Sequence, residues 1–171
     1  MLKEQYLPEG ALIHTEQNKK AKSSITALWY AMENRITLEG RVILCDAAHN
    51  LVVELGEFTG IIPRREAAIG IDEGAVREIA VISRVGKPVA FKVTAIHTDE
   101  DGGVSISLSR KEAQMEARSF FLNHLRPGDV IPARVTHLEP FGAFVDIGCG
   151  NISLIGIENV SVSRISHPKD R

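Results

Sequence analysis

Cysteine is almost absent from this chain of 171 residues: Cys45 and Cys149 are the only two. That count excludes a disulfide framework, and their wide separation reads as two free thiols rather than a bridge or a metal-binding couple. The six histidines are scattered without ligand spacing, so no metal site is expected. No apolar run is long enough to cross a bilayer, and no signal-peptide pattern follows Met1. The expected location is cytoplasmic, with no membrane partner. Positive charge is not in excess either. A net charge of −2 argues against strong non-specific binding to duplex DNA, which needs many phosphate contacts. It leaves single-strand binding open, where one local groove and stacking suffice. There is no nucleophile–base spacing and no phosphate-cradling glycine loop. No enzyme, cofactor or small-molecule substrate is therefore expected. Gly102-Gly103 and Gly148-Cys149-Gly150 read as strand turns.

What the chain does have is an ordinary globular composition, 44% hydrophobic and 25% charged, with length for one or two small domains. Its most informative stretch is Phe141-Gly142-Ala143-Phe144-Val145-Asp146-Ile147-Gly148. Ala143, Val145 and Ile147 alternate with Phe144 and Asp146, the period of a half-buried strand, which pushes an aromatic ring out of the core. Exposed aromatics on a small barrel are a platform on which single-stranded bases stack. Strict alternation points Phe141 inward, but Gly142 permits a bulge that would turn both rings to one face. Core packing remains the other reading of each ring.

Residues 1–22 carry Pro8, Gly10 and a polar run, and read as a flexible N-terminal arm. Ile25, Leu28, Trp29 and Met32 form one stripe of a helix over residues 23–35, with Ser23 or Ser24 as its cap and Trp29 as a core anchor. Strands follow at Leu38 to Leu44, Leu51 to Leu55, Phe58 to Ile62, Val89 to Ala95 and Val104 to Leu108. Residues 64–76 read as an irregular crossing, and Ile79 to Ile82 as a short strand or a part of that crossing. Five strands in this order predict a closed barrel over residues 36–109. Ser109-Arg110-Lys111-Glu112 is a capping-box sequence. The helix it opens, a connector over 110–126, would show Ala113, Ala117, Phe121 and Leu125 on one face, with Pro127-Gly128 ending it.

The chain then repeats itself. Gly40-Arg41-Val42 matches Ala133-Arg134-Val135, Val53 to Gly56 matches Val145 to Gly148, and Ile61-Ile62 matches Leu154-Ile155, at a steady offset of about 93 residues. Residues 127–171 thus read as a second barrel with only its first three strands. Open strand edges aggregate, so the expectation is that the natural chain continues beyond Arg171; otherwise another chain supplies the missing strands or the second unit is only partly ordered.

Gly128-Asp129-Val130, Phe141 to Gly148, the turn Arg164-Ile165-Ser166-His167-Pro168-Lys169-Asp170 and the ending Ile106-Ser107-Leu108-Ser109 together resemble the S-one RNA-binding repeat of the ribosomal S-one family. The resemblance covers about residues 36–171. It implies a mainly β protein built of tandem oligonucleotide-binding (OB-fold) five-stranded barrels, holding single-stranded RNA without a catalytic centre. It also implies that Phe141 and Phe144 take the two base-stacking positions of the second strand. A third-strand histidine frequent in the family is replaced by Gly156 in the second copy and Pro63 in the first. The first copy has His49 and Val52 where the phenylalanines would be, and Ser105 where the family has an arginine, while Asp101 keeps the pattern. Candidate RNA contacts are then Phe141, Phe144, Arg134, His49, Lys92 on the fourth strand, and Arg64. Arg134 either meets a phosphate or is a solvated strand charge. His49 either stacks on a base or is a plain turn residue. Arg64 with Arg65 either holds a phosphate or a partner carboxylate, or is an exposed turn pair. The family's leading repeats dock on the ribosome and later ones grip messenger RNA. The expected partners are thus single-stranded RNA and the ribosome or a ribosomal protein. The function is either RNA binding linked to translation or protein docking with little RNA affinity.

Overall fold

The computed structural model describes residues 6–171. Its elements are α1 (Glu16–Ala21), α2 (Ile25–Glu33), β1 (Leu38–Cys45), β2 (Leu51–Leu55), β3 (Phe58–Ile62), α3 (Glu78–Ile82), β4 (Pro88–Thr98), β5 (Val104–Ser109), α4 (Arg110–His124), β6 (Arg134–Glu139), β7 (Gly142–Asp146) and β8 (Ile152–Gly156). Strands β1 to β5 close into a barrel in the order β1-β2-β3-β5-β4, and β6-β7-β8 form a separate three-stranded sheet. The mainly β, OB-like architecture expected from the sequence is therefore present. Among the described residues no helix is long and apolar enough to cross a membrane, no cluster could hold a metal ion, and both cysteines are free.

The barrel is filled from one side of each strand. Val42, Leu51, Val53, Leu55, Ile62, Val89, Phe91, Val93, Ile106 and Leu108 are all buried. Each such side chain contributes about 1.5–3 kcal/mol of transfer free energy. Gly60 lets β3 pass close to β5, because a Cβ there would lie 2.6 Å from Leu108 Cδ1. α2 plugs the barrel with Leu28 and Ala31, capped by Ser24, whose Oγ accepts from the Ala27 N–H at 3.1 Å. The expectation for Trp29 is overturned: its side chain is 41% exposed. The stripe is centred on Leu28, so Trp29, one residue on, is turned about 100° away from the barrel. Ile79 to Ile82 lie in the short helix α3, not in a strand.

Ser109 caps α4 by accepting from the Glu112 N–H at 2.9 Å, but the Glu112 carboxylate turns to Arg35 at 3.3 Å instead of closing a capping box. Ala113, Ala117 and Phe121 are buried as expected, whereas Leu125 lies past the helix end and is exposed.

The segment expected to be a mobile arm is packed from Tyr6 onward; residues 1–5 lie outside the described residues. The Tyr6 hydroxyl donates to Glu116 at 2.8 Å, and the Cys149 N–H donates to the Leu7 carbonyl at 2.9 Å. The Glu9 N–H donates to Asp146 Oδ2 at 2.8 Å, while Glu9 Oε1 accepts from the Ala90 N–H at 3.0 Å and from Arg110 Nε at 2.7 Å. Glu9 thereby ties β4, α4 and β7 together. The reason for the misreading is compositional: Pro8, Gly10 and the polar run look solvated, yet their polar groups are consumed by buried partners. Thr15 and the helix it caps continue this packing, with Asn18 exchanging two hydrogen bonds with the Glu39 backbone, at 2.9 and 2.8 Å.

Candidate functional site

β6 and β7 pair as Val135↔Val145 and then His137↔Phe144, so Thr136 is an extra residue on β6. This bulge, rather than one at Gly142, sets the aromatic geometry. Gly142 itself pairs regularly with Glu139 and Gly156. Its role is close approach: a Cβ there would run into the Ile155 carbonyl oxygen. Phe141 precedes the strand and is held by its carbonyl, which accepts from the Ile157 N–H at 2.9 Å. The result brings the two phenylalanines together, with ring centroids 6.1 Å apart and planes at 86°. Phe141 is 56% exposed and Phe144 half-buried.

The bulge adds a third ring that sequence reasoning missed. His137 stands beside Phe144 at 6.1 Å with its plane tilted by 32°, and its Nε2 lies 2.6 Å from Glu139 Oε1. A signal was available. Val135 and Leu138 face Val145 and Ala143 across the ladder, yet they are three residues apart. An odd spacing on one face of a strand requires a bulged residue. Phe141, Phe144 and His137 thus form one aromatic row on the surface of the three-stranded sheet.

The other expected contacts lie elsewhere. Arg134 is exposed and its Nη1 donates to the Glu9 carbonyl at 2.9 Å, so one edge of its guanidinium is committed to the leader. His49 and Arg64 do come together in the barrel, but on a shared carboxylate. Nδ1 of His49 is 2.9 Å from Glu78 Oε2, Arg64 binds the other oxygen of the same carboxylate, and Asp72 lies 3.7 Å from Arg64 Nη1. The Arg64 and His49 partners hold Glu78 below the usual carboxylate range. Lys92 is not on the surface at all. It is 2% exposed, its Nζ pairs with Glu116 at 2.9 Å, and it also donates to the Arg35 carbonyl. Alternation along β4 correctly separates Lys92 from the barrel interior, but α4 covers that outer face.

A buried charge cluster lies between the two sheets. Burial pushes the Glu9 carboxyl up, yet the Arg110 guanidinium at 2.7 and 2.9 Å outweighs this and holds it below its ordinary value. Asp146 is raised, chiefly by burial and by the charge of Glu9, against hydrogen bonds from the Glu9, Gly148 and Gly150 N–H groups. Burial likewise pushes the Cys149 thiol up to about 12, so it is an inert packing group rather than a nucleophile. These features position the sheet; none assembles a reactive centre.

The chain is similar to small ribosomal subunit protein bS1. It is 27% identical over 165 residues to that protein from Staphylococcus aureus strain COL, a match covering 94% of this chain and 39% of the relative. It is 29% identical over 169 residues to the bS1 of Mycobacterium tuberculosis, covering 95% of this chain and 32% of the relative. The resemblance to the ribosomal S-one family is thereby borne out along nearly the whole chain. The chain spans roughly a third of the length of these curated relatives. No protein-family model matches it.

Proposed function

We propose that this chain is a non-enzymatic, ribosome-associated RNA-binding protein that serves translation. In this reading it holds single-stranded RNA by stacking bases on Phe141 and Phe144. The observation that carries the proposal is the pair of neighbouring, solvent-reaching rings at 6.1 Å on β7 and its entry. The similarity to bS1 supports the ribosomal context. Each stacked base would contribute roughly 1–3 kcal/mol. Phe144→Ala should therefore weaken binding of a fluorescein-labelled oligo(U) about 5- to 150-fold in an anisotropy titration. Equal affinities for wild type and variant would remove Phe144 from the site.

The same reading treats β6-β7-β8 as a second, shorter copy of the barrel's opening strands. Three correspondences support it. β1 carries a register break between Val42 and Leu44 where β6 carries one between Val135 and His137. Each third strand is followed by a 3-10 turn, Arg64–Glu66 and Ile157–Asn159. The antiparallel order of the first three strands is also the same.

A second reading assigns protein docking to the barrel. Val52 stands where Phe144 stands in the sheet, and His49 and Arg64 are engaged with Glu78. Among the described residues that surface pairs no aromatic rings to offer RNA. Under this reading the full chain carrying Phe141→Ala and Phe144→Ala still co-sediments with ribosomes while losing affinity for free RNA. The full chain is needed, because Glu9 is part of the packing of β4 and α4.

A further inference from the structure

The aromatic row does not end in open solvent. His137, its inner member, lines a cleft of about 840 Å³ between the barrel side of the molecule and the three-stranded sheet. α3 and the turn after it, α4, and the edges of β6 and β8 form its walls. Among the described residues that line it the cations are Arg84, Lys87, Arg110 and Arg118, and none is an aspartate or glutamate. In a chain of net charge −2 that segregation is a local reversal of sign.

The four cations are not equivalent. Arg110 is buried and spent on Glu9. Arg84 gives Nη1 to Glu9 at 3.2 Å and keeps 23% of its side chain exposed. Lys87 and Arg118 are exposed, and neither side chain has an ion-pair or hydrogen-bond partner among the described residues. Free cations in a groove with low-dielectric walls attract a polyanion. An electrostatic groove that continues from a stacking platform is the arrangement single-stranded nucleic acids require.

We propose that a single RNA strand stacked on Phe141 and Phe144 runs past His137 into this cleft, where Lys87 and Arg118 bind its phosphates. The proposal rests on the RNA-binding reading above and adds to it a path and two phosphate contacts.

The test is the salt dependence of binding, measured on the full chain with a ten-nucleotide oligo(U). Each phosphate contact on a single strand contributes about 0.7 to the slope of log K against log salt. Lys87→Gln combined with Arg118→Gln should therefore flatten the slope by about 1.4. Over a fourfold rise in salt the wild type should then lose roughly sevenfold more affinity than the double variant does. Lys19→Gln with Lys20→Gln, exposed on α1 away from row and cleft, is the charge-matched control and should leave the slope near that of wild type. If the cleft variant and the control have the same slope while Phe144→Ala still weakens binding, the path is overturned and the stacking site stands. If the wild type does not bind the oligonucleotide at all, both fall.

Discussion

Replacing Glu9 by glutamine should destabilise the protein far more than any change in a solvated leader could. The carboxylate is 4% exposed and receives Arg110 through two nitrogens, at 2.7 and 2.9 Å, with Arg84 at 3.2 Å and the Ala90 N–H at 3.0 Å. The amide would keep an acceptor for some of these donors but remove the charge. The Arg110 guanidinium would be left buried with the Ala67 carbonyl at 3.0 Å and only the more distant Asp146 for compensation. Breaking a buried pair from one side costs about 3–5 kcal/mol. Because the hydrogen-bonding shape survives, about 3 kcal/mol is the expected loss, or a fall in Tm of roughly 6–12 °C for a protein of this size. Urea unfolding at pH 7 reads this as a lower midpoint at constant m. Adding Arg110→Met to Glu9→Gln should recover at least half the loss, since the orphaned charge goes with it. The sign of the pH dependence also follows. The pKa of Glu9 is lower folded than unfolded, so its stabilisation is present above the ordinary carboxylate range and lost as pH falls through the folded value. Wild type and variant should converge in acid. A loss below about 0.5 kcal/mol at pH 7, the range of ordinary surface substitutions, would refute the packed leader.

Three further outcomes are expected. Glu39 has one buried carboxylate oxygen with no partner and a pKa raised to about 7, chiefly by burial. Its folded-state pKa exceeds the unfolded one, so stability should decline by roughly 3 kcal/mol as pH rises from about 4.5 to 7; Glu39→Gln should remove that slope in denaturation curves taken across this interval. Gly142→Ala places a methyl against the backbone carbonyl of Ile155, so the β7–β8 ladder should open, seen as accelerated amide exchange at Ala143 and Val145, whose N–H groups face β8. Protection equal to wild type would mean the strands accommodate the Cβ. Lys92→Gln should lower Tm through loss of the Glu116 pair yet leave oligo(U) affinity within about twofold; a large loss of RNA affinity with unchanged Tm would return Lys92 to the interface.

How far the primary structure reaches is seen by comparing Phe144 with its neighbours. Period-two alternation of small and branched residues decides that Ala143 and Val145 are covered and Phe144 stands apart, because a strand's faces are set by chirality and pleat alone. The same rule places the five barrel strands, and capping places the starts of α2 and α4. These are local consequences of backbone geometry, readable without partners. The third ring, the engaged Arg64, the hidden Lys92 and the packed leader are not local. His137 reaches Phe144 only because an extra residue at Thr136 shifts the register between two strands. Lys92 is buried because α4 crosses it, and Glu9 is buried because three elements distant in the chain converge on it. Composition determined the class, and periodicity determined which residues form strands. Tertiary packing alone decided which charges remain free, because a charge is free or spent according to what the fold brings within about 4 Å of it.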